Sequence, residues 1–210
     1  MIAVVDYEMG NVGSVLNMLK KLSIPCRLTR DPHELRQAHG LILPGVGTFD
    51  QGMLKLRKHL LIDVLNELVL RDQKPCLGIC LGMQLMGAGS EEGTEPGLGW
   101  IDAAVRMFRS DTARPRLRVP HMGWNFVNPT QPLHPLFEGL SSPLRFYFVH
   151  SYHFSPDVSS AIGLSEHIVP FTSALAKGNI LGCQFHPEKS HSFGFKLLSN
   201  FNRIAAESGA

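Results

Sequence analysis

The sequence lacks the features that mark several classes of protein. Its 20 Lys and Arg residues nearly balance its 18 Asp and Glu residues, and no basic cluster occurs, so we expect no nucleic-acid partner. No apolar run approaches the ~18 residues that cross a membrane. The start of the chain, Met1 to Asp6, has a short apolar run and no basic region before it, so neither a signal peptide nor a membrane partner is expected.

Cysteine is also scarce. The four cysteines, Cys26, Cys76, Cys80 and Cys183, follow neither a zinc-ligand spacing nor the disulfide framework of a small secreted scaffold. We therefore expect no metal and a reducing, cytoplasmic location. With 210 residues, the chain is long enough to bury a large core, and we expect a single domain spanning residues 1-210.

What the sequence does contain, over its first half, is an alternation of apolar strands with amphipathic helices. Alternation of this kind indicates a parallel, doubly wound sheet, whose ligands gather at the carboxyl ends of the strands. The loops Tyr7 to Gly13 and Pro44 to Gly47 should therefore meet Cys80 at one edge. The predicted strands are Ile2 to Asp6, Pro25 to Thr29, Gly40 to Leu43 and Pro75 to Ile79. The predicted helices run up to Leu22, from an Asp31 cap, from Phe49 to Leu70 with room for a break, and from Leu81 to Met86.

The second half, from Glu91 onward, is punctuated by Gly and Pro between short β-like runs. An amphipathic helix from Ser190 to Ala206 closes the chain. The predicted fold class is α/β: a mostly parallel doubly wound sheet flanked by helices, with added antiparallel or mixed strands in the C-terminal half. The strands predicted there are Ala103 to Arg109, Arg116 to Val119, Leu144 to Val149, Tyr152 to Ser155, Ser173 to Ala176 and Ile180 to Phe185.

The segment Gly78-Ile79-Cys80-Leu81-Gly82 follows the fourth predicted strand and has the pattern of a nucleophile elbow. In such an elbow the chain turns sharply from strand to helix, and side chains at the glycine positions would collide with the turn. The helix that follows would favour the thiolate form of Cys80. The alternative is that Cys80 is a buried structural cysteine, as Cys76 and Cys183 are expected to be.

A cysteine nucleophile needs a base, and the base benefits from an orienting carboxylate. Ten histidines compete for this role, but His186 ends a predicted strand in Phe185-His186-Pro187-Glu188. Residues two apart in extended chain point to the same side, so Glu188 can reach the His186 imidazole. The pair would share an edge with Cys80 if the strand from Ile180 lies beside the strand from Pro75. The alternative is an unrelated surface His and Glu near a turn.

His121, His150 and His153 raise the possibility of a metal site, because His-x-x-His is a short ligand spacing. No cysteine or carboxylate cluster stands near them in sequence. On a continuous strand His150 and His153 would also face opposite sides. We therefore predict no metal at these histidines.

Six motifs, in order along nearly the whole chain, resemble those of the class I glutamine amidotransferases. That family has its nucleophile in G-x-C-x-G and its base and carboxylate in a C-terminal His-Pro-Glu. More narrowly, the chain resembles the glutaminase subunits of imidazole glycerol phosphate synthases, although Glu8 stands where those subunits usually have glycine, and Thr48 and His153 replace commoner residues. The motifs are Asp6-Tyr7-Glu8-Met9-Gly10-Asn11, Leu43-Pro44-Gly45-Val46-Gly47, Gly78-Ile79-Cys80-Leu81-Gly82-Met83-Gln84, Val119-Pro120-His121-Met122-Gly123-Trp124-Asn125, Phe148-Val149-His150-Ser151-Tyr152 and Gln184-Phe185-His186-Pro187-Glu188-Lys189-Ser190.

The resemblance implies a hydrolysis of glutamine that needs no cofactor. Cys80 would attack the side-chain amide, His186 would act as acid and then base, and Glu188 would hold the His186 ring. Backbone N–H groups would stabilise the oxyanion. These donors would be Leu81 together with Val46 or Gly47, and the residues expected to contact glutamine are Gln84, His150, Ser151 and Tyr152.

The resemblance also implies a partner, a cyclase subunit with a (β/α)8 barrel, in a heterodimer. The cyclase would use the ammonia to make imidazole glycerol phosphate and aminoimidazole carboxamide ribotide in histidine biosynthesis. The expected interface and ammonia passage involve Asn11, Trp124, Tyr152 and Lys189.

Three other functions compete with this one. The first is a glutaminase of the same class that serves pyridoxal phosphate, anthranilate or guanylate synthesis; such a protein would not be expected to carry Val119 to Asn125 in this form. The second is a cysteine peptidase or deglycase of the same broad fold, which would act without a partner. The third is a non-catalytic interaction module, against which the intact set of Cys80, His186 and Glu188 argues.

Overall fold

The computed structural model of the chain describes residues 1–109, 117–130 and 133–208. The first half alternates strands and helices as predicted. A π-helical turn, Glu67–Arg71, extends the fourth helix. The elements are β1 (Ile2–Val5), α1 (Val12–Lys21), β2 (Cys26–Thr29), α2 (Pro32–Gln37), β3 (Gly40–Leu43), α3 (Phe49–Lys58), α4 (Leu61–Asn66), β4 (Cys76–Ile79) and α5 (Leu81–Leu85).

The second half consists mostly of strands and ends in a long helix. Two single turns of 3-10 helix, Pro135–Phe137 and Pro187–Lys189, lie between its elements. The elements are β5 (Gly89–Ser90), β6 (Ala104–Met107), β7 (His121–Pro129), β8 (Leu144–His150), β9 (Tyr152–Phe154), β10 (Ala161–Glu166), β11 (Pro170–Lys177), β12 (Ile180–Cys183) and α6 (His191–Glu207).

One twisted sheet joins both halves. Its strand order is β2-β1-β3-β4-β12-β11-β10-β7-β8, with β9 paired to β11 and β6, and β5 paired to β6. The strands from β2 to β12 are parallel, whereas β11, β10, β7 and β8 are antiparallel to their neighbours. The predicted α/β fold class, a mostly parallel sheet with antiparallel strands added in the C-terminal half, is therefore confirmed.

The parallel strands are buried on both faces, which explains their unbroken apolar sequences. Val4, Ile42 and Leu77 point to one face, where they join a core shared with α1 and α6. Alternate residues such as Val5 and Leu43 point to the other face, into a second core with α3, α4 and α5. Two apolar layers thus hold the carboxyl edge of the strands in place.

The helical region expected from Phe49 to Leu70 has its break at Leu60, which has φ +55°. Other predicted boundaries were wrong. Residues 117–119 form no strand, and Arg116 lies outside the described residues. Strands β7 and β10 were not predicted. β7 contains Gly123 at φ +130°, and β10 has a register shift at Gly163. No helix among the described residues is long and apolar enough to cross a membrane.

Candidate active site

The chain turns at Cys80, between β4 and α5, with φ +52° and ψ −110°. A non-glycine residue in such a conformation costs about 1–3 kcal/mol and persists only where its surroundings hold it. Glycine on either side permits the turn. A Cβ on Gly78 would lie 2.7 Å from Met83 Cα, and a Cβ on Gly82 would lie 1.8 Å from the Leu43 carbonyl oxygen. The elbow therefore needs both glycines, the second because the adjacent strand β3 passes so close.

His186 and Glu188 lie at the same edge as Cys80 because β12 runs parallel to β4. Cys183 is paired with Ile79, and Cys80 N–H donates to the Cys183 carbonyl at 2.8 Å. The condition set from the sequence, that these two strands are neighbours, is met. His186 Nδ1 lies 2.8 Å from Glu188 Oε1, and both side chains are buried.

The backbone around His186 is held at two points. His186 N–H donates to the Tyr147 carbonyl on β8 at 2.8 Å. Ser190 Oγ donates to the His186 carbonyl at 2.6 Å and accepts from Tyr147 N–H at 3.0 Å. The ring is therefore aimed by the antiparallel half of the sheet, although the strand that carries it belongs to the parallel half.

Electrostatics favour a protonated His186. Burial alone would lower the pKa of His186, but hydrogen bonds with Cys80 and Glu188, and the negative charge of these groups, raise it to about 10. Cys80 and His186 line one common cavity. This arrangement can hold a thiolate beside an imidazolium, which is the reactive state of a cysteine nucleophile.

Cys80 opens into a cavity of about 340 Å³. This volume is within the range of small-molecule pockets, ~300–1,000 Å³. The predicted oxyanion residues Leu81, Val46 and Gly47 line it, and Leu81 is the first residue of α5, where a helix offers an N–H without an intrahelical acceptor. The predicted glutamine contacts, Gln84, His150, Ser151 and Tyr152, also line the cavity, together with Glu92, Pro120, Val149, His186 and Lys189.

Not every predicted residue lies in this cavity. Lys189 and Tyr152 line it, whereas Asn11 and Trp124 do not. Asn11 is exposed just before α1. Trp124 is 40% exposed on β7, and its ring stacks on His191 with centroids 5.6 Å apart. The four residues expected at the interface are therefore divided between the cavity and separate surfaces.

Glu8, the departure from the expected glycine, has the positive φ (+63°) that glycine adopts easily. Its carboxylate lies 3.4 Å from Arg30, 3.6 Å from Lys58 and 3.2 Å from His59. The hydrogen bond from Arg30 holds the pKa of Glu8 below its usual value. Lys55 Nζ also donates to the Glu8 carbonyl at 2.8 Å. This set of basic groups holds the turn that glycine would allow at lower conformational cost.

Four histidines cluster around Phe108 beside the cavity: His121, His150, His153 and His167. His150 and His153 would face opposite sides only on a continuous strand, but the strand breaks at Ser151, and both rings pack on Phe108. Burial lowers the pKa of each of His121, His150 and His153. Across the described ranges, no group of three or more His, Cys, Asp or Glu residues could hold a metal ion.

The hydrogen bonds of this cluster fix its protons. His150 Nδ1 lies 2.7 Å from the Tyr152 carbonyl, which can only accept, so Nδ1 carries the hydrogen. His150 Nε2, 2.9 Å from His121 Nδ1, must then be the acceptor. His121 Nε2 in turn accepts from Asn125 Nδ2 at 3.2 Å. The Tyr152 carbonyl thus determines the tautomer of both His150 and His121.

Sequence reasoning assigned no role to Gln184, although it stands in one of the six motifs. Its side chain is fully buried and lies against the Cys80 sulfur. The signal was present, since Gln184 stands two residues before His186, and residues two apart in extended chain point to the same side. Glu188 itself lies in the 3-10 turn Pro187–Lys189, not in extended chain as predicted. Glu92, whose carboxylate accepts from Phe49 N–H at 2.8 Å, gave no such signal.

Comparison with known proteins agrees with this geometry. Residues 3–204 match the family described as Glutamine amidotransferase class-I. The imidazole glycerol phosphate synthase subunit HisH 2 of Pseudomonas aeruginosa is 51% identical over 203 residues, which cover 96% of this chain and 98% of that protein. The protein of the same name from Methanococcus maripaludis is 48% identical over 206 residues, covering 98% of this chain and all of that protein.

Solved structures share the fold at lower identity. A putative GMP synthase protein from Thermoplasma acidophilum aligns with a TM-score of 0.72 and 22% identity, covering 98% of this chain and 94% of that one. This likeness shows the fold alone. The match over residues 3–204, together with relatives about half identical over nearly their whole length, shows that the chain belongs to the class-I glutamine amidotransferase family, among the imidazole glycerol phosphate synthase subunit HisH proteins.

Proposed function

We propose that the chain, as a single glutamine amidotransferase domain, hydrolyses L-glutamine to glutamate and ammonia and passes the ammonia to a cyclase subunit of imidazole glycerol phosphate synthase. The observation that carries this proposal is the position of Cys80, at a strained elbow that lines the same cavity as His186, whose Nδ1 lies 2.8 Å from Glu188 Oε1. The names of relatives about half identical to the chain supply the substrate and the partner.

In the first half of the reaction, the Cys80 thiolate attacks the side-chain amide carbon of glutamine. The carbonyl oxygen becomes an oxyanion, which the N–H of Leu81 and that of Val46 or Gly47 stabilise. His186 then gives its proton to the amide nitrogen, and the carbon–nitrogen bond breaks. Ammonia leaves, and a thioester with Cys80 remains.

In the second half, His186 is neutral and takes a proton from a water molecule, which attacks the thioester carbon. The same N–H groups stabilise the second oxyanion. Its collapse breaks the carbon–sulfur bond, releases glutamate and returns the thiolate beside protonated His186. Glu188 holds the ring in both halves, because its Oε1 accepts from Nδ1 and leaves Nε2 for Cys80 and the substrate.

The substrate contacts follow from the cavity lining. Gln84 lies one helical turn beyond Cys80, and its Nε2 donates to the Tyr152 carbonyl at 3.0 Å. Its Oε1 is therefore the atom left to accept from glutamine. His150, Ser151 and Tyr152 also line the cavity. This segment crosses from β8 to β9, so the antiparallel half supplies the glutamine wall while the parallel half supplies the nucleophile.

The proposed partner is a (β/α)8 barrel cyclase bound as a heterodimer in the cytoplasm. Asn11, Trp124, Tyr152 and Lys189 are the proposed interface and ammonia passage. Tyr152 and Lys189 support a passage that starts in the cavity, since both line it. Exposed Trp124 supports a contact on β7, beside the similarly exposed Met122 and Phe126.

The test compares ammonia from glutamine with ammonia supplied directly. The chain is purified with a cyclase subunit, and synthesis of imidazole glycerol phosphate is followed with glutamine or with ammonium salt as nitrogen source. Cys80→Ser should abolish glutamine-dependent synthesis and leave ammonium-dependent synthesis intact. Glutamine-dependent turnover in that variant would show that Cys80 is not the nucleophile.

The same preparation separates the competing functions. Free chain and complex are compared for glutamate release, because we expect glutamine hydrolysis to rise when the cyclase and its ribotide ligand bind. Stimulation by a pyridoxal phosphate, anthranilate or guanylate synthase in place of the cyclase would assign the chain to that rival glutaminase. Peptide hydrolysis by the free chain would favour the cysteine hydrolase.

A further inference from the structure

Gln184 lies beside the nucleophile, yet neither half of the reaction above uses it. It follows β12, with its backbone N–H donated to the Ser173 carbonyl at 2.9 Å. Its side-chain Nε2 lies 3.6 Å from Cys80 Sγ, a normal distance for an N–H donor to sulfur. Since the side chain is fully buried, this amide is a fixed neighbour of the sulfur.

The direction of the Gln184 amide follows from a backbone carbonyl. Gln84 places one end of its amide 3.0 Å from the Tyr152 carbonyl, and that end must be the NH2 group because a carbonyl can only accept. The same NH2 group lies 3.0 Å from the Gln184 side chain, which must therefore present its oxygen. The other end of Gln184, its NH2 group, faces Cys80.

The Tyr152 carbonyl that sets this order is itself fixed. His150 donates its Nδ1–H to the same oxygen at 2.7 Å, and His150 Nε2 is occupied by His121 at 2.9 Å. Rotating the Gln84 amide would place its oxygen against that carbonyl oxygen. Rotating the Gln184 amide would oppose two NH2 groups. Either reversal leaves buried polar groups unpaired, which costs free energy.

We propose that Gln184 is a second hydrogen-bond donor to the Cys80 sulfur, next to His186, and that Gln84 and the Tyr152 carbonyl aim it. This proposal rests on the proposed role of Cys80 as the glutaminase nucleophile. The thiol form of Cys80 has an acceptor in the Val149 carbonyl, 3.8 Å away. The thiolate form instead accepts from Gln184, so the amide favours the ionised sulfur.

The two donors act differently during the reaction. His186 gives up its proton to the leaving ammonia, whereas a neutral amide keeps its N–H. Gln184 therefore remains a donor to sulfur throughout both halves. Its hydrogen bond is weak while sulfur is part of the thioester and strengthens when charge returns to sulfur during deacylation, so it assists departure of the thiolate.

The proposal is tested by the pH dependence of Cys80 alkylation with iodoacetamide in the full chain, followed by mass spectrometry of the peptide that carries Cys80. Gln184→Met fills a similar volume and has no N–H donor. We expect its alkylation midpoint to lie about one pH unit or more above that of the native chain. Cys80→Ala gives the background from the other thiols, and Ser173→Ala, a buried change on the neighbouring strand, should leave the midpoint unchanged.

Gln84→Met is the second variant, and it decides the question if Gln184→Met does not fold. It retains Gln184 but removes the contact that sets the amide direction, so the midpoint should again rise. A midpoint equal to the native one in a folded variant, as judged by near-ultraviolet circular dichroism, would overturn the donor role. The assay contains neither glutamine nor cyclase, so that result would leave the glutaminase proposal standing, and a failed glutaminase assay would leave the donor role testable.

Discussion

Two buried histidines, His121 and His150, should make the folded chain lose stability as the pH falls below 6.5. Burial, followed by the charge of nearby His167, lowers the pKa of His121 to about 3. Burial also places the pKa of His150 well below its usual value. In the unfolded chain a histidine has a pKa of about 6.5. Below that pH the unfolded chain binds protons that the folded chain excludes, so acid favours unfolding.

The size of the effect follows from these values. A histidine with a pKa of about 6.5 when unfolded and about 3 when folded loses roughly 2 kcal/mol of stability between pH 6.5 and pH 4.5. His150 should act in the same direction, because burial lowers its pKa as well. The loss at His121 alone is a substantial part of the ~5–15 kcal/mol that stabilises a typical domain. The full loss of stability from His121 would be reached only when the pH approaches its folded pKa of about 3.

The assay is urea denaturation at pH 6.5 and pH 4.5, with the free energy of unfolding extrapolated to water. Carboxylates also respond to acid, so the informative quantity is the difference between variants. His121→Gln cannot take up the proton and should lose about 2 kcal/mol less than the native chain over this interval. Exposed His33 on α2 supplies the control, since a side chain already in water changes its surroundings little on unfolding. Equal losses in His121→Gln and the native chain would refute a buried, neutral His121.

Three further predictions concern the catalytic pair, the elbow and the Glu8 turn. His186→Ala should lower glutamine hydrolysis by the cyclase complex about 10²–10⁴-fold, and Glu188→Gln by less, because the amide oxygen can still accept from Nδ1; equal losses would contradict an orienting role. Gly82→Ala should destabilise the chain by about 3 kcal/mol or more, since its Cβ would lie 1.8 Å from the last carbonyl oxygen of β3. The helical control Gly13→Ala, with no atom within 4 Å of its Cβ, should stabilise the chain by about 0.5–1 kcal/mol. The free energies of unfolding of both variants are measured by urea denaturation. Glu8→Gly should unfold at a higher temperature than Glu8→Ala, because both lose the ion pairs but only alanine retains the strained φ; the reverse order would show that backbone strain there is unimportant.

The parallel half of the sheet could be predicted because local rules and burial agree there. Strands such as Gly40–Leu43 are buried on both faces, so each appears in the sequence as an unbroken run of apolar residues. Asp31 caps α2 as expected, its carboxylate accepting from His33 N–H at 2.7 Å. The elbow at Cys80 could be predicted because a side chain at Gly78 or Gly82 would collide with nearby backbone. This requirement gives the sequence two glycines at a fixed spacing around Cys80.

The antiparallel half was harder to predict because its strands depend on contacts that a local pattern does not contain. Strand β7 has apolar side chains on its exposed side, including Met122 and Phe126, so burial and hydrophobicity do not coincide along it. His121 meets His150 through pairing between β7 and β8, 29 residues apart. No rule based on residue spacing predicts that pairing. The tautomers of the two rings, which depend on the pairing, could therefore not be predicted either.

The register between β4 and β12 decides whether the site exists. Gln184 and His186 directly follow β12, and Glu188 lies in the 3-10 turn after it, so a change in the register of β12 would move all three relative to Cys80. Gly178 and Asn179 form the two-residue turn between β11 and β12, which starts β12 at a fixed point. The bond from Cys80 N–H to the Cys183 carbonyl fixes the other end. One strand pairing therefore places the base with its carboxylate, and the amide donor, at the sheet edge that carries Cys80. Changes at the turn should consequently displace His186, Glu188 and Gln184 together. A change at His186 or at Gln184 alone should remove only the contacts of that side chain.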